Sequence, residues 1–240
     1  MLEVSMKRFV TGAALSLFLA GCTGGGPGSP AREFLAMYND IDQKVTTVAA
    51  EASWKAATDV SEQHTGERIG ASGAVAAFEG SRYVIDTTRA LLAKKDALSD
   101  LERRQLNKIL LNAAEAPGTI PEVVEKRVQT EARAGAILDG FVFCMDEKGG
   151  KCVKKTSPNE IDELLDKSRN MAARQKVWEV SKQTGPALKK SLTELRELRN
   201  RVATELGFSS YFHLQVADYG MSVAEMMQLM DRSQQELRPL

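Results

Sequence analysis

Histidine is almost missing: His64 and His213 are the only two in 240 residues. Neither is followed by glutamate in the H-E-x-x-H pattern, which sets two histidines one helical turn apart to hold a metal ion. Set in Glu62-Gln63-His64-Thr65 and Tyr211-Phe212-His213-Leu214, both read as surface or packing residues rather than ligands. An excess of one charge is missing too, since Lys+Arg 32 against Asp+Glu 32 gives a formal net charge of zero. With no basic cluster, nucleic acid is not an expected partner. No apolar run is long enough for a membrane-crossing helix; Phe9 to Ala20 falls short of the ~20 residues a span needs. Cysteine occurs three times, so at most one disulfide can form within the chain.

The short apolar run has a reading of its own. Met6-Lys7-Arg8 puts positive charge just ahead of it and Leu19-Ala20-Gly21-Cys22 closes it, the arrangement of a lipoprotein signal peptide over 1–21. Small residues before Cys22 let a lipoprotein peptidase bind, and the Cys22 thiol can then take a diacylglycerol. Residues 22–31 are rich in Gly, Pro and Ser and read as a flexible linker, which argues against a buried cysteine after a core helix. Met6 is the natural start, with Met1 to Ser5 an over-extension. Thr23, in place of aspartate, favours outer-membrane sorting. The expectation is an exported protein, anchored through lipid on Cys22 at the periplasmic face of the outer membrane. Cys144 and Cys152 are then the remaining pair in an oxidising compartment, and a disulfide is the economical reading. The alternative, two reduced thiols, needs a cytosolic protein.

About 210 residues follow the linker, enough for one or two domains with a real core. Almost all of them read as helix. Phe34, Met37, Tyr38, Ile41, Val45 and Val48 share one face of a helix reaching about Ala57, and Thr58 to Ser61 interrupt it. A second helix is expected from Glu67 to Lys95, weakened by Gly70, Gly73 and Gly80. Ser99 with Glu102 forms a capping box ahead of Leu101, Leu106, Ile109 and Leu110, and Pro117-Gly118 ends that helix. Thr119 with Glu122 and Pro121 opens the next, carrying Val123, Val124, Val128 and Ile137. Alternation at Phe141 to Phe143, then the turn-rich Asp146 to Gly150, predicts a short hairpin with Cys144 and Cys152 across it.

Ser157-Pro158-Asn159-Glu160 caps a helix expected to reach Lys182, broken at Gly185-Pro186. Leu188, Leu192, Leu195, Leu198, Val202 and Leu206 mark a long amphipathic helix closed by Gly207. A shorter helix over Ser209 to Tyr219 follows, and Ser222 with Glu225 opens a last one carrying Met226, Met227, Leu229 and Met230. The chain stops at Arg238-Pro239-Leu240 without a closing element, which reads as truncation. Trp54, Trp178 and the methionines are expected to pack in the core. Acidic pairs such as Asp162-Glu163 are expected to be solvated helix faces.

Several runs resemble the angiotensin-converting enzyme family of peptidyl-dipeptidases. They are Glu51-Ala52-Ser53-Trp54, Asn107-Lys108-Ile109-Leu110-Leu111, the Cys144/Cys152 pair, Ser168-Arg169, Trp178-Glu179 and Gln235 to Leu240. Leu195 to Asn200, followed by Glu205-Leu206-Gly207-Phe208, fits the same family's long helix before its glycine. These runs are collinear over about residues 33 to 240.

The resemblance implies an all-α fold, the N-terminal portion of a zincin-type peptidyl-dipeptidase with one short disulfide-closed hairpin. It implies lid-like helices over 32–116 and the start of the peptidase body over 117–240, short of the zinc motif. The implied activity is zinc-dependent release of C-terminal dipeptides from oligopeptide substrates. In this chain no catalytic or metal residue is expected and no zinc, because H-E-x-x-H is missing. Lys182 falls where the animal enzymes place a chloride-holding arginine; lysine keeps the charge but lacks the planar fork, which puts chloride dependence in doubt. Nothing carries over across Asn112 to Gly140, where this chain is longer than the animal enzymes. The rival reading is a non-catalytic helical lipoprotein that binds peptides or acts as a scaffold.

Overall fold

The computed structural model describes residues 28–94 and 97–239. The signal peptide expected over 1–21 and the lipid site at Cys22 lie outside the described residues. Ten helices and one hairpin make up the described chain. Four helices come first: α1 (Pro30–Thr58), α2 (Glu62–Glu79), α3 (Arg82–Leu92) and α4 (Asp100–Glu115). Then come α5 (Pro121–Asp139), β1 (Phe143–Lys148) and β2 (Lys151–Thr156). The rest is α6 (Pro158–Lys167), α7 (Met171–Val180), α8 (Thr184–Glu205), α9 (Tyr211–Asp218) and α10 (Val223–Leu237). The expected all-α fold with a disulfide-closed hairpin is what forms.

Capping residues set most helix starts. Ser99 with Glu102, Ser157 with Glu160 and Ser222 with Glu225 each form a reciprocal capping box, which satisfies amide groups that would otherwise be left open. Glu102 does more. Its carboxylate accepts from the Ser99 amide and hydroxyl and also from Arg32 and Ser29, tying the start of α1 to the start of α4. Those bonds, Ser99's first, hold its pKa down at about 2.

Four apolar clusters hold the helices. Phe34, Leu35 and Tyr38 of α1 meet Val84 and Leu91 of α3 and Leu106 and Ile109 of α4. Ala76 of α2 meets Val124 and Val128 of α5 and Val202 of α8. Ala114, Ala203 and Leu214 join α4, α8 and α9. A separate cluster of Phe143, Ile161, Val177 and Val180 packs the hairpin on α6 and α7.

The hairpin is antiparallel and carries the Cys144–Cys152 disulfide, with α-carbons 5.6 Å apart. The cysteines are not ladder partners: Cys144 faces Lys155 and Cys152 faces Glu147, and register shifts on either side of Asp146 bring the sulfurs together. Closing so short a loop constrains the unfolded chain by about 2–3 kcal/mol. Gln183 clasps the hairpin to the start of α8 by accepting from the Cys144 amide at 2.8 Å and donating to its carbonyl at 2.9 Å.

Several expected boundaries are corrected. The helix expected over 67–95 starts earlier, with Ser61 as its cap, and is two helices with a corner at Gly80-Ser81. A β-carbon on Gly80 would lie 1.6 Å from the Ala116 carbonyl oxygen, and the Gly118 amide donates to Gly80 O at 2.7 Å. The corner is where two turns touch backbone to backbone. Thr119 does not cap α5; Ile120 holds that position without a side-chain bond, and Pro121, needing no partner, begins the helix. The helix expected over 157–182 divides at Ser168 to Asn170, where Asn170 caps α7. Gly185-Pro186 does not break a helix but lies in the first turn of α8, where amides have no intrahelical acceptor.

The large side chains expected inside are outside. Trp54 is 72% exposed because α1 turns Ala52 and Ala56 inward, and Trp54 lies on the opposite face. Trp178 is 55% exposed, since Val177 and Val180 are the residues of α7 that face the hairpin cluster. No residue of α10 is buried; Met227, Leu229 and Met230 are exposed on a helix whose main packing is against α9.

Candidate functional site

The residues singled out from the sequence do not converge. His64 Nδ1 lies 2.8 Å from the Asp59 carbonyl oxygen, and His213 Nδ1 lies 2.9 Å from the Ser210 hydroxyl. The His213 ring rests on Ser210, the cap of its own helix, whereas the His64 ring reaches back to Asp59, where α1 ends. Lys182 Nζ lies over the Trp178 ring, 5.0 Å from its centroid, so its charge faces an indole one turn away. Among the described residues no group of three His, Cys, Asp or Glu is placed to hold a metal ion, so the residues present do not fit a catalytic zinc.

The chemistry that does gather is a polar cluster between the helices. Tyr38 and Asp42 come from α1, Glu79 from α2, Asn112 and Glu115 from α4, Arg127 and Glu131 from α5, Arg199 from α8 and Tyr211 from α9. Glu131 is held from two sides, by Arg127 Nη1 at 3.0 Å and by Arg199. Arg127 Nη1 also lies 3.7 Å from Glu115 Oε2, and the Arg199 guanidinium stacks 5.3 Å from the Tyr211 ring centroid. These contacts tie α4, α5, α8 and α9 together. Beside them is a cavity of 270 Å³ lined from α1, α2, α4 and α5.

Burial governs the protonation of this cluster. Glu79 is pushed up to about 7, by burial first and then by the Asp42 carboxylate and Glu115. Burial also raises Glu115, against the pull of Arg127, and it raises Tyr38. Tyr211 goes up to about 12, by burial and then by Glu115. Asp42 Oδ1 and the Tyr38 hydroxyl are buried without a protein partner. A neutral Glu79 can donate to Asp42, so one proton serves two carboxylates where two charges would repel.

Sequence reasoning missed this cluster. The readable signal was an ionisable residue on an apolar stripe: Asp42 one turn after Tyr38, and Glu115 directly after Ala113-Ala114, both buried. What no local pattern supplied was the meeting of six elements.

The described helices, hairpin and disulfide follow the order of the collinear runs that suggested a family. No curated protein sequence matches the chain significantly. A family model described as angiotensin-converting enzyme does match, over residues 28–240, which is most of the chain and includes every one of those runs. On that match, the chain belongs to the angiotensin-converting enzyme family of peptidases.

Proposed function

We propose that this chain supplies the N-terminal part of a zinc metallopeptidase that releases C-terminal dipeptides from oligopeptides, and that on its own it is inactive. The family match over residues 28–240 carries the reading. Residues 32–116 serve as the lid over the substrate channel and 117–240 begin the peptidase body. Inactivity follows from the donor set, because two isolated histidines, one against the Asp59 carbonyl and one against the Ser210 hydroxyl, supply no H-E-x-x-H. The test compares two products, the 240-residue chain and whatever the reading frame encodes when extended past Leu240. The chain alone should retain no zinc after dialysis and should release no dipeptide from a tripeptide with a free C-terminus. The extended product should hold one zinc and release the dipeptide in a chelator-sensitive way. Stoichiometric zinc and chelator-sensitive hydrolysis by the chain alone would overturn its inactivity. A stop codon with no H-E-x-x-H downstream would leave the non-catalytic, peptide-binding lipoprotein.

The same proposal places the protein outside the inner membrane, held through lipid on Cys22 to the periplasmic face of the outer membrane. Support comes from Leu19-Ala20-Gly21-Cys22 after a short, positively flanked apolar run. Cys22→Ser should give a soluble or unprocessed product in cell fractionation. Unchanged membrane partitioning would count against the anchor.

A further inference from the structure

A second opening, apart from the paired charges, runs between α2 and α5. It is a groove of 380 Å³ with apolar walls, Ile69 and Ala77 on α2 and Pro121, Val124 and Val128 on α5. With the cavity at the polar cluster it shares only Ala76, Ala116 and Val128. Gly70 and Gly73, one turn apart on the same side of α2, line the groove and keep it open. A β-carbon on either would meet nothing within 4 Å, so no packing among the described residues calls for a glycine there. Each costs α2 about 1 kcal/mol relative to alanine. The room they leave is room that the described chain does not fill.

Charge narrows the occupant. Glu125 is the single ionisable residue lining this groove. Gln129, one turn along α5 and also in the lining, donates to Glu125 Oε1 at 3.0 Å, which orients the carboxylate and leaves its other oxygen unbonded among the described residues. The nearby cations are engaged elsewhere: Lys126 with Glu194 of α8 at 2.8 Å, and Arg127 with Glu115 and Glu131. Arg68 lies against α5 at Gly135, more than two turns beyond Glu125. Glu122, exposed one turn before Glu125, adds negative charge on the same side of α5. The volume exceeds the ~300 Å³ at which small-molecule pockets begin, and apolar walls with one or two polar groups to orient the ligand are what such pockets have. We propose that this groove binds a small amphipathic amine, with its hydrocarbon body against Ile69, Val124 and Val128 and its ammonium on the Glu125 carboxylate. An anion would meet two glutamates, and a wholly apolar ligand would leave the oriented carboxylate unused. The site depends neither on zinc chemistry nor on the lipid anchor.

Hexylamine, hexanol and hexanoate carry one hydrocarbon body with three different heads, and titrating each into the nitrogen-labelled full chain, read by amide NMR shifts, tests this. Hexylamine should bind saturably, with its shifts on α2 and α5, and about fivefold more tightly than hexanol, the difference that an ion pair at a partly exposed mouth gives. Hexanoate should bind more weakly than hexanol. Glu125→Gln should bring hexylamine down to the level of hexanol and leave hexanol itself unchanged. Gly73→Leu, which fills the groove, should abolish both. Should circular dichroism show that variant to be unfolded, Gly73→Ala decides, with binding weakened by about twofold or more as one methyl narrows the groove. Hexanol or hexanoate binding as tightly as hexylamine would overturn the proposal. So would undiminished hexylamine affinity in Glu125→Gln, shifts on other elements, or no saturation by hexylamine at all.

Discussion

Gly80→Ala lowers stability by about 3 kcal/mol, the upper end of what overpacking costs. The cause is contact rather than conformation. Gly80 has φ −85° and ψ 2°, the bridge conformation that most residues adopt in a type I turn, so a change in backbone preference contributes little. The new methyl would meet the Ala116 carbonyl carbon at 2.6 Å as well as its oxygen, and both are backbone atoms that cannot rotate away. From the other side, a β-carbon on Gly118 would come within 2.6 Å of Gly80 O. To admit either, the α2–α3 corner must separate from the α4–α5 turn. That breaks the Gly118-to-Gly80 hydrogen bond and pulls Ala76 and Ala116 from the Val128 and Val202 cluster. Gly73 is the control, since a β-carbon there meets nothing within 4 Å, and Gly73→Ala should stabilise by about 1 kcal/mol through helix propensity alone. Urea unfolding followed by circular dichroism reads both. A Gly80→Ala protein no less stable than Gly73→Ala would mean that the two turns do not touch.

The contrast between those glycines shows where the sequence was legible. Capping boxes at Ser99, Ser157 and Ser222 were readable because both partners sit within one turn, and each formed as expected. Gly207 and Gly220, at φ +97° and +71°, ended helices for an equally local reason. Gly80 looked like Gly70 and Gly73, since its reason is a carbonyl far along the chain. Trp54 misled for a related cause: an aromatic on an amphipathic helix normally marks the buried face, but here the buried positions on either side of it are Ala52 and Ala56. The polar cluster was the least legible part. Glu79 carried no local mark of burial, and only the packing of α2 against α1 and α5 takes it out of water.

That burial makes Glu79 the group through which pH acts most on this fold. Its pKa of about 7 lies above the ordinary 4.5, so the folded protein holds the proton more tightly than the unfolded chain does. Its stabilising contribution is therefore complete below about pH 4.5 and is lost as pH rises through about 7. One pKa unit corresponds to about 1.4 kcal/mol; allowing for partial solvent access and for the proton shared with Asp42, the loss comes to about 2 kcal/mol. Glu102 works in the other direction, because a carboxylate held down at about 2 contributes above its ordinary range and loses that contribution only in acid. Between pH 5 and 8 the Glu79 change stands apart from it. Around Glu79 are Asp42 and Tyr38 of α1 and Glu115, Lys108 and Asn112 of α4; of the charged groups only Lys108 favours the ionised form. Glu79→Gln keeps a neutral donor of the same shape. It should match the parent at pH 5 and exceed it by about 2 kcal/mol at pH 8 in urea unfolding, whereas Glu79→Ala, which opens a hole beside Asp42, should not. If the glutamine variant gained equally at both pH values, the effect would belong to packing, and Glu79 would not be the group that titrates.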